Sequence, residues 1–341
     1  MPMSRARVAR RIATAAAYGG GGVGLLGGAV VGLLLTEVRL ARRTVGGSED
    51  APPTADGRYG AAFAAFGEGA GEPPVRLAFL GDSTAAGQGV HRVGETPGAI
   101  LASGLAAVAE RPVDLVNVAL PGACSDDLER QVGRLLDGSA PPPDVCVIMI
   151  GANDVTHRMP PAESVRHLAA AVRRLREAGI EVVVGTCPDL GTIEPVYQPL
   201  RWVARRLSRQ LAAAQTIAVI ELGGRTVSLG QLLGPEFAAN PREMFGPDNY
   251  HPSATGYATA AMAVLPTLCT AVGVWPDADA DESVLPVATA AAAAAGASGT
   301  EVTAAGAGSG RRGRWALLRQ RVAAGASGGG RSPSADISAL T

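Results

Sequence analysis

Leu77 to Gly89, LAFLGDSTAAGQG, sets a short apolar run against an abrupt stop at Gly81, Asp82 and Ser83. The run reads as a buried strand and the stop as a tight turn, because glycine followed by small residues (Thr84, Ala85, Ala86, Gly87) lets the next backbone segment come close. Ser83 then stands at the carboxyl edge of a strand, which is where open α/β sheets bind ligands. A serine hydroxyl there is inert until a base takes its proton and a donor pocket receives an oxyanion. The rest of the chain is therefore read for a base and for donors.

Between residues 75 and 272, apolar runs of strand length alternate with helical patterns, as a parallel sheet with crossover helices requires. Strands are expected at Val75 to Leu80, Val113 to Val118, Asp144 to Ile150, Glu181 to Thr186 and Ile217 to Glu221. Helices are expected at Pro97 to Ala109, Asp126 to Leu136, Ala162 to Ala178, Leu200 to Ala214 and Ala254 to Leu268. Near-continuous apolar strands such as VCVIMI and EVVVGT imply burial on both faces, hence a three-layer α/β/α sandwich around a five-stranded parallel sheet. Right-handed crossovers put the loops that follow the strands on one rim.

Three further stretches fall on that rim. Asn117 to Gly122 follows the second strand, and Gly122 exposes a backbone N–H that is a candidate oxyanion donor; alone, the loop reads equally as an ordinary turn before a helix that Ser125 caps. Gly151, Ala152, Asn153 and Asp154 follow the third strand, and the Asn153 amide donates without titrating. FGPDNYHPSATGY sets Asp248 three residues before His251, ahead of a helix that Ser253 caps. That spacing brings carboxylate and imidazole to one face, where the carboxylate fixes the tautomer through Nδ1 and leaves Nε2 for a serine. Asp126 and Asp127 are explained by capping and the helix dipole. His91 and His157 lie on rim loops without a partner carboxylate, and His167 reads as a residue of a solvated helix face.

Taken together, GDS, the Asn117 to Gly122 loop, GAND and DNYHP resemble the GDSL/SGNH hydrolase superfamily in order and spacing over roughly residues 75 to 272. The resemblance implies a flavodoxin-like SGNH fold and a carboxylic ester hydrolase with Ser83, Asp248 and His251 as catalytic residues. It makes Ser83, Gly122 and Asn153 the oxyanion hole and implies ester hydrolysis through an acyl-enzyme with no metal or organic cofactor. Thr84 stands where the commonest form of the motif has leucine. The anchored layout and TCPDLGT at 186 to 192 are similar to actinobacterial members. Lipids and acylated glycans are the implied esters, with specificity in Pro188 to Pro199 and Ser228 to Pro247. The same scaffold also supports thioester cleavage or acyl transfer, and a membrane-tethered glycan-binding module without chemistry is the reading from another class.

The flanks carry a different signal. Ile12 to Thr36 holds no charged residue and meets the ~20 residues that a bilayer span needs. Arg5, Arg7, Arg10 and Arg11 precede it and Arg39, Arg42 and Arg43 follow, so a signal anchor with a cytoplasmic N-terminus and an extracytoplasmic catalytic domain is expected. The organisation read from the chain is thus an N-terminus at 1–11, an anchor at 12–36, a flexible linker at 37–74, the hydrolase domain at 75–274 and a low-complexity tail at 275–341. A net charge of -1 and 4% aromatic residues leave no basic field or stacking platform for a nucleic acid. Cys124, Cys146, Cys187 and Cys269 are scattered without the spacing of a zinc site, and their pairing is left open.

Overall fold

The computed structural model describes residues 50–66, 71–138 and 140–275, together with residues 32, 36, 37, 301 and 302. The sheet is built from β1 (Gly57–Tyr59), β2 (Val75–Gly81), β3 (Val113–Asn117), β4 (Val145–Met149), β5 (Glu181–Gly185), β6 (Arg225–Val227) and β7 (Glu301–Val302). Its order is β1-β3-β2-β4-β5-β6-β7. The five strands β2 to β6 are parallel, and β1 and β7 close the two edges antiparallel. Strand order reverses between β3 and β4 on either side of β2, so the crevice of the switch point opens above the end of β2.

The helices that matter for the site are α1 (Ser83–Ala86), α2 (Pro97–Ala109), α3 (Leu128–Leu136), α4 (Ala152–Thr156), α5 (Pro161–Glu177), α6 (Leu200–Glu221), α7 (Leu229–Ala239) and α8 (Ala254–Ala271). Strand side chains alternate between two buried clusters, as the two-residue pleat dictates. Leu77, Phe79, Val145 and Val147 pack with α2 and α8 on one face. Ala78, Leu80, Cys146 and Ile148 pack with α3, α5 and α6 on the other. The sheet is therefore the middle layer of three.

The first four expected strands agree with the structure to within one residue at each end. The fifth does not. Ile217 to Glu221 is the last part of the 22-residue helix α6, and its apolar residues continue a helical stripe in which Leu211, Gln215 and Val219 recur four residues apart and are buried. The helix stops only where Gly223, at φ +77°, takes the left-handed conformation and Gly224 N–H donates to Val219 O. The fifth parallel strand is β6, immediately after that glycine pair.

The expected parallel sheet is thus mixed, and part of the expected linker belongs to it. β1 pairs with β3, and the Arg58 guanidinium lies bidentate on Asp114, directly opposite in register. No helix among the described residues is long and apolar enough to cross a membrane. The stretch at 12–36 lies outside the described residues apart from Gly32 and Thr36, as does the tail beyond Trp275 apart from β7.

Gly81 is the tightest point of the sheet. A Cβ on it would lie 1.9 Å from the carbonyl oxygen of Met149, and its φ is +135°. Gly122 has a φ of +80° but open space around a Cβ. Gly81→Ala should cost on the order of 3 kcal/mol or more of unfolding free energy from clash and strain, and Gly122→Ala about 1 kcal/mol from strain alone. Urea unfolding of both variants checks this; equal losses would contradict it.

Candidate functional site

Asp82 leaves the end of β2 in extended conformation and caps α1 by accepting the Thr84 N–H at 2.9 Å, so Ser83 becomes the first helical residue over the crevice. Two buried glutamines fix the flanking backbone. Gln131 on α3 brackets residue Gly81, accepting its N–H at 2.7 Å and donating to its carbonyl at 2.9 Å. Gln215 on α6 donates to Ile150 O at 3.1 Å and accepts Cys187 N–H at 2.8 Å, tying the loop after β4 to the loop after β5. Neither glutamine was picked out from the sequence. Each lies in a helix far from any motif, and an amide among apolar residues at core spacing was the available signal.

Asp248 divides its two oxygens. Oδ1 accepts the N–H groups of Tyr250 and His251 at 3.0 Å each, closing the turn in which Asn249 takes a φ of +55°. Oδ2 meets Nδ1 of His251 at 2.5 Å. His251 Nε2 then lies 2.9 Å from Ser83 Oγ. Burial pulls the Asp248 pKa up, but the bond from the His251 ring, the Tyr250 N–H and the attraction of an imidazolium outweigh it and hold the carboxyl below its ordinary value. The turn fits because Gly89, at φ +96°, leaves room: a Cβ there would sit 2.9 Å from that of His251. Tyr257 of α8 donates to Gln88 O at 2.6 Å and ties the first block to the last.

The loops after β3 and β4 meet beside this relay. Asn117 holds its loop shut by accepting Ala119 N–H and donating to Ala85 O, and Leu120 N–H donates to Gly81 O at 3.0 Å. Asn153 Nδ2 donates to Ala123 O at 3.0 Å, so one hydrogen of the amide joins the two loops and the second is left for another acceptor. Asp154 is a buried hub that accepts from Ser125 N, Ser125 Oγ and Ser164 Oγ. Ser125 thus serves Asp154 and does not cap its helix; the preceding turn starts at Cys124, whose N–H bonds Asp127. Ser253 does cap α8, accepting Gly256 N–H at 3.1 Å.

Of the sequence-derived site residues, Ser83, His251 and Asp248 form one unbroken chain of contacts, and Gly122 and Asn153 stand on the two loops beside it. His157 lies outside the chain, with Nδ1 2.9 Å from Asn153 O. The four cysteines are unpaired. No cluster of three or more metal-ligating side chains occurs among the described residues.

Asp82, 2% exposed, is a second carboxylate beside Ser83. Burial pushes its pKa up to about 6, against the counter-pull of the Thr84 N–H and hydroxyl and of His251. A carboxyl whose folded pKa lies above its unfolded one binds its proton more tightly in the native state. Its contribution is complete below about pH 4 and is lost as pH rises to about 6. Asp82→Asn keeps the cap acceptor and cannot ionise. The stability of this variant relative to wild type should therefore rise between pH 4 and 6.5, by on the order of 2 kcal/mol. Parallel urea-midpoint profiles for the two proteins would contradict this.

The model of the GDSL-like lipase/acylhydrolase family matches residues 79–259. The GDSL-like esterase Rv1075c of Mycobacterium tuberculosis is 45% identical over 252 residues, 73% of this chain and 79% of its own. Among solved structures, a catalytic mutant of Axe2, an acetylxylan esterase from Geobacillus stearothermophilus, is similar at 18% identity and TM-score 0.46, covering 59% of this chain and 96% of its own. The structure of TesA is similar at 25% identity and TM-score 0.44, covering 57% and 99%.

Proposed function

The chain belongs to the GDSL-like lipase/acylhydrolase family and is a carboxylic ester hydrolase, and from that premise we propose that it cleaves its ester through a Ser83-His251-Asp248 relay and a covalent acyl-enzyme. The observation that carries this reading is the continuous contact from Asp248 Oδ2 through the imidazole, 2.5 Å to Nδ1 and 2.9 Å from Nε2 to Ser83 Oγ. His251 takes the Ser83 proton as Oγ bonds to the ester carbon, and Asp248 stabilises the imidazolium that forms. The negative charge on the carbonyl oxygen is met by the N–H groups of Ser83 and Gly122 and by the uncommitted hydrogen of the Asn153 amide. As the carbon–oxygen ester bond breaks, His251 returns the proton to the departing alkoxide. Water, deprotonated by the same imidazole, then attacks the acyl carbon, and Ser83 leaves with its proton restored. Ser83→Ala should keep the wild-type unfolding midpoint and lose several orders of magnitude in turnover of an aryl ester. It should also fail to label with a fluorophosphonate probe that tags the wild-type protein. Turnover near the wild-type rate would overturn the assignment.

The second part of the proposal is the place of work. An uncharged segment at 12–36 with four arginines before it and three after is read as an anchor with the hydrolase outside the cytoplasmic membrane, within reach of envelope lipids and acylated glycans. Support comes from the residue that follows this segment: Glu37 accepts the Leu200 N–H at the start of α6 at 2.9 Å. Tyr197 and Trp202, 64% and 58% exposed, lie beside that point, and such side chains favour a membrane–water interface. External protease should digest the domain in intact spheroplasts. Protection until the membrane is lysed would put the catalytic face in the cytoplasm and remove the envelope substrates.

A further inference from the structure

Beside Ser83 and His251 the described residues line a partly open cavity of about 80 Å³. Its floor includes Met149 and Gly185 at the ends of β4 and β5, and α7 supplies Leu229, Leu233, Gly234 and Phe237. Apart from Ser83, His251 and the Tyr250 hydroxyl, the polar side chains that line it are already engaged. Asp82 Oδ1 holds Thr84 N–H. Asp189 Oδ1 holds Gly191 N–H, and its Oδ2 takes the Arg209 guanidinium at 3.1 Å. Thr186 Oγ1 donates to Val227 O. Among buried side-chain nitrogens and oxygens of the described residues, Arg205 Nε alone lacks a hydrogen-bond partner, and it faces Asp189 Oδ2 at 3.3 Å. A sugar hydroxyl pushed into this space would lose its water and gain little, whereas hydrocarbon loses nothing.

We propose that this cavity receives the acyl chain of the ester and that α7 sets the length it accepts, an inference that rests on Ser83 being the nucleophile. The two halves of an ester have different fates at such a serine. The alcohol must depart after the first step, while the acyl group stays bonded to Oγ until water releases it, so a recessed apolar pocket beside the nucleophile suits the half that is retained. Since a protein cavity of ~150 Å³ holds the six carbons of benzene, about 80 Å³ holds about three carbons beyond the carbonyl. The preferred acyl group is therefore about the size of butanoyl.

Gly234 is the residue whose identity leaves this room. It is buried in α7 and lines the cavity. A Cβ built on it would sit 3.8 Å from that of Asp189 and 4.0 Å from Cγ2 of Thr192, ordinary contact distances to two other lining residues. A larger side chain at 234 thus fits at its base and fills the cavity with its end. Gly185 differs: a Cβ there would meet Leu229 at 2.8 Å.

The test is kcat/KM of the full chain on p-nitrophenyl esters from acetate to dodecanoate, and on acetate esters of alcohols of increasing length. Wild type should be fastest near butanoate and lose about tenfold or more by octanoate. Gly234→Leu should lower the butanoate-to-acetate ratio by about tenfold, and Leu233→Ala should raise the hexanoate-to-butanoate ratio; the latter only removes atoms and decides the matter if the former does not fold. Unchanged ratios in folded, active variants overturn the proposal, as does a response of the alcohol series in place of the acyl series. Activity retained by Ser83→Ala would instead strike at the nucleophile, and that outcome is separate from the shape of the chain-length profile.

Discussion

Ser83 is positioned by an approach of two backbones. Asp82 N–H donates to Met149 O at 3.1 Å, across the gap that a Cβ on Gly81 would close. The carbonyl of that same Gly81–Asp82 peptide accepts Leu120 N–H from the loop after β3 and the Gln131 amide from the helix layer beneath. One peptide unit thus joins three strand ends and a helix. Because backbone atoms have no rotamers, the geometry that results is stiffer than one held by side chains, and Ser83 inherits that stiffness one residue later.

The logic recurs around the rim. Gly151, at φ +132°, turns the chain out of β4, and a Cβ on it would press on Cys187 and Gln215. Gly89 yields its side-chain space to His251. At both places a glycine stands where a loop passes a neighbour too closely for a side chain, and a buried amide or hydroxyl (Gln215, Tyr257) then bonds the backbone that has been brought near. The loops are exposed to ligand on one side and anchored like core on the other, which is how a site made of four separate segments holds its distances.

Much of this was legible in the chain. Four strands could be placed because their apolar runs end in turns, Asp248 and His251 could be paired because Asp-x-x-His is a local geometry, and Ser83 was joined to them only through the shared rim and the family resemblance. What was not legible required knowledge of partners. Ile217 to Glu221 is as apolar as a strand, and only its continuation of the α6 stripe to the glycine pair at 223 and 224 distinguishes it. Gly57–Tyr59 is too short to carry a pattern; it is a strand because Asp56 accepts the N–H of Asn117 and Arg58 meets Asp114 on the exposed edge of β3. Gln131 and Gln215 are distinguished by the peptides they bond, which lie 50 and 65 residues away in sequence. Local chemistry leaves a mark in sequence, and long-range hydrogen bonding leaves almost none.

Carboxylates crowd this site, and each meets burial differently. Asp154 is surrounded by two serine hydroxyls and a backbone N–H, a neutral donor set that anchors the loop carrying Asn153. Asp189 meets the guanidinium groups of Arg205 and Arg209. Asp248 faces the imidazole and is kept ionised by it and by two N–H groups. Asp82 has the poorest company, one N–H and one hydroxyl, and burial drives it up to about 6. His251 lies between Asp248 and Asp82 and pulls both carboxyls down against burial, so the charge that burial makes costly in this pocket is offset by the ring it faces.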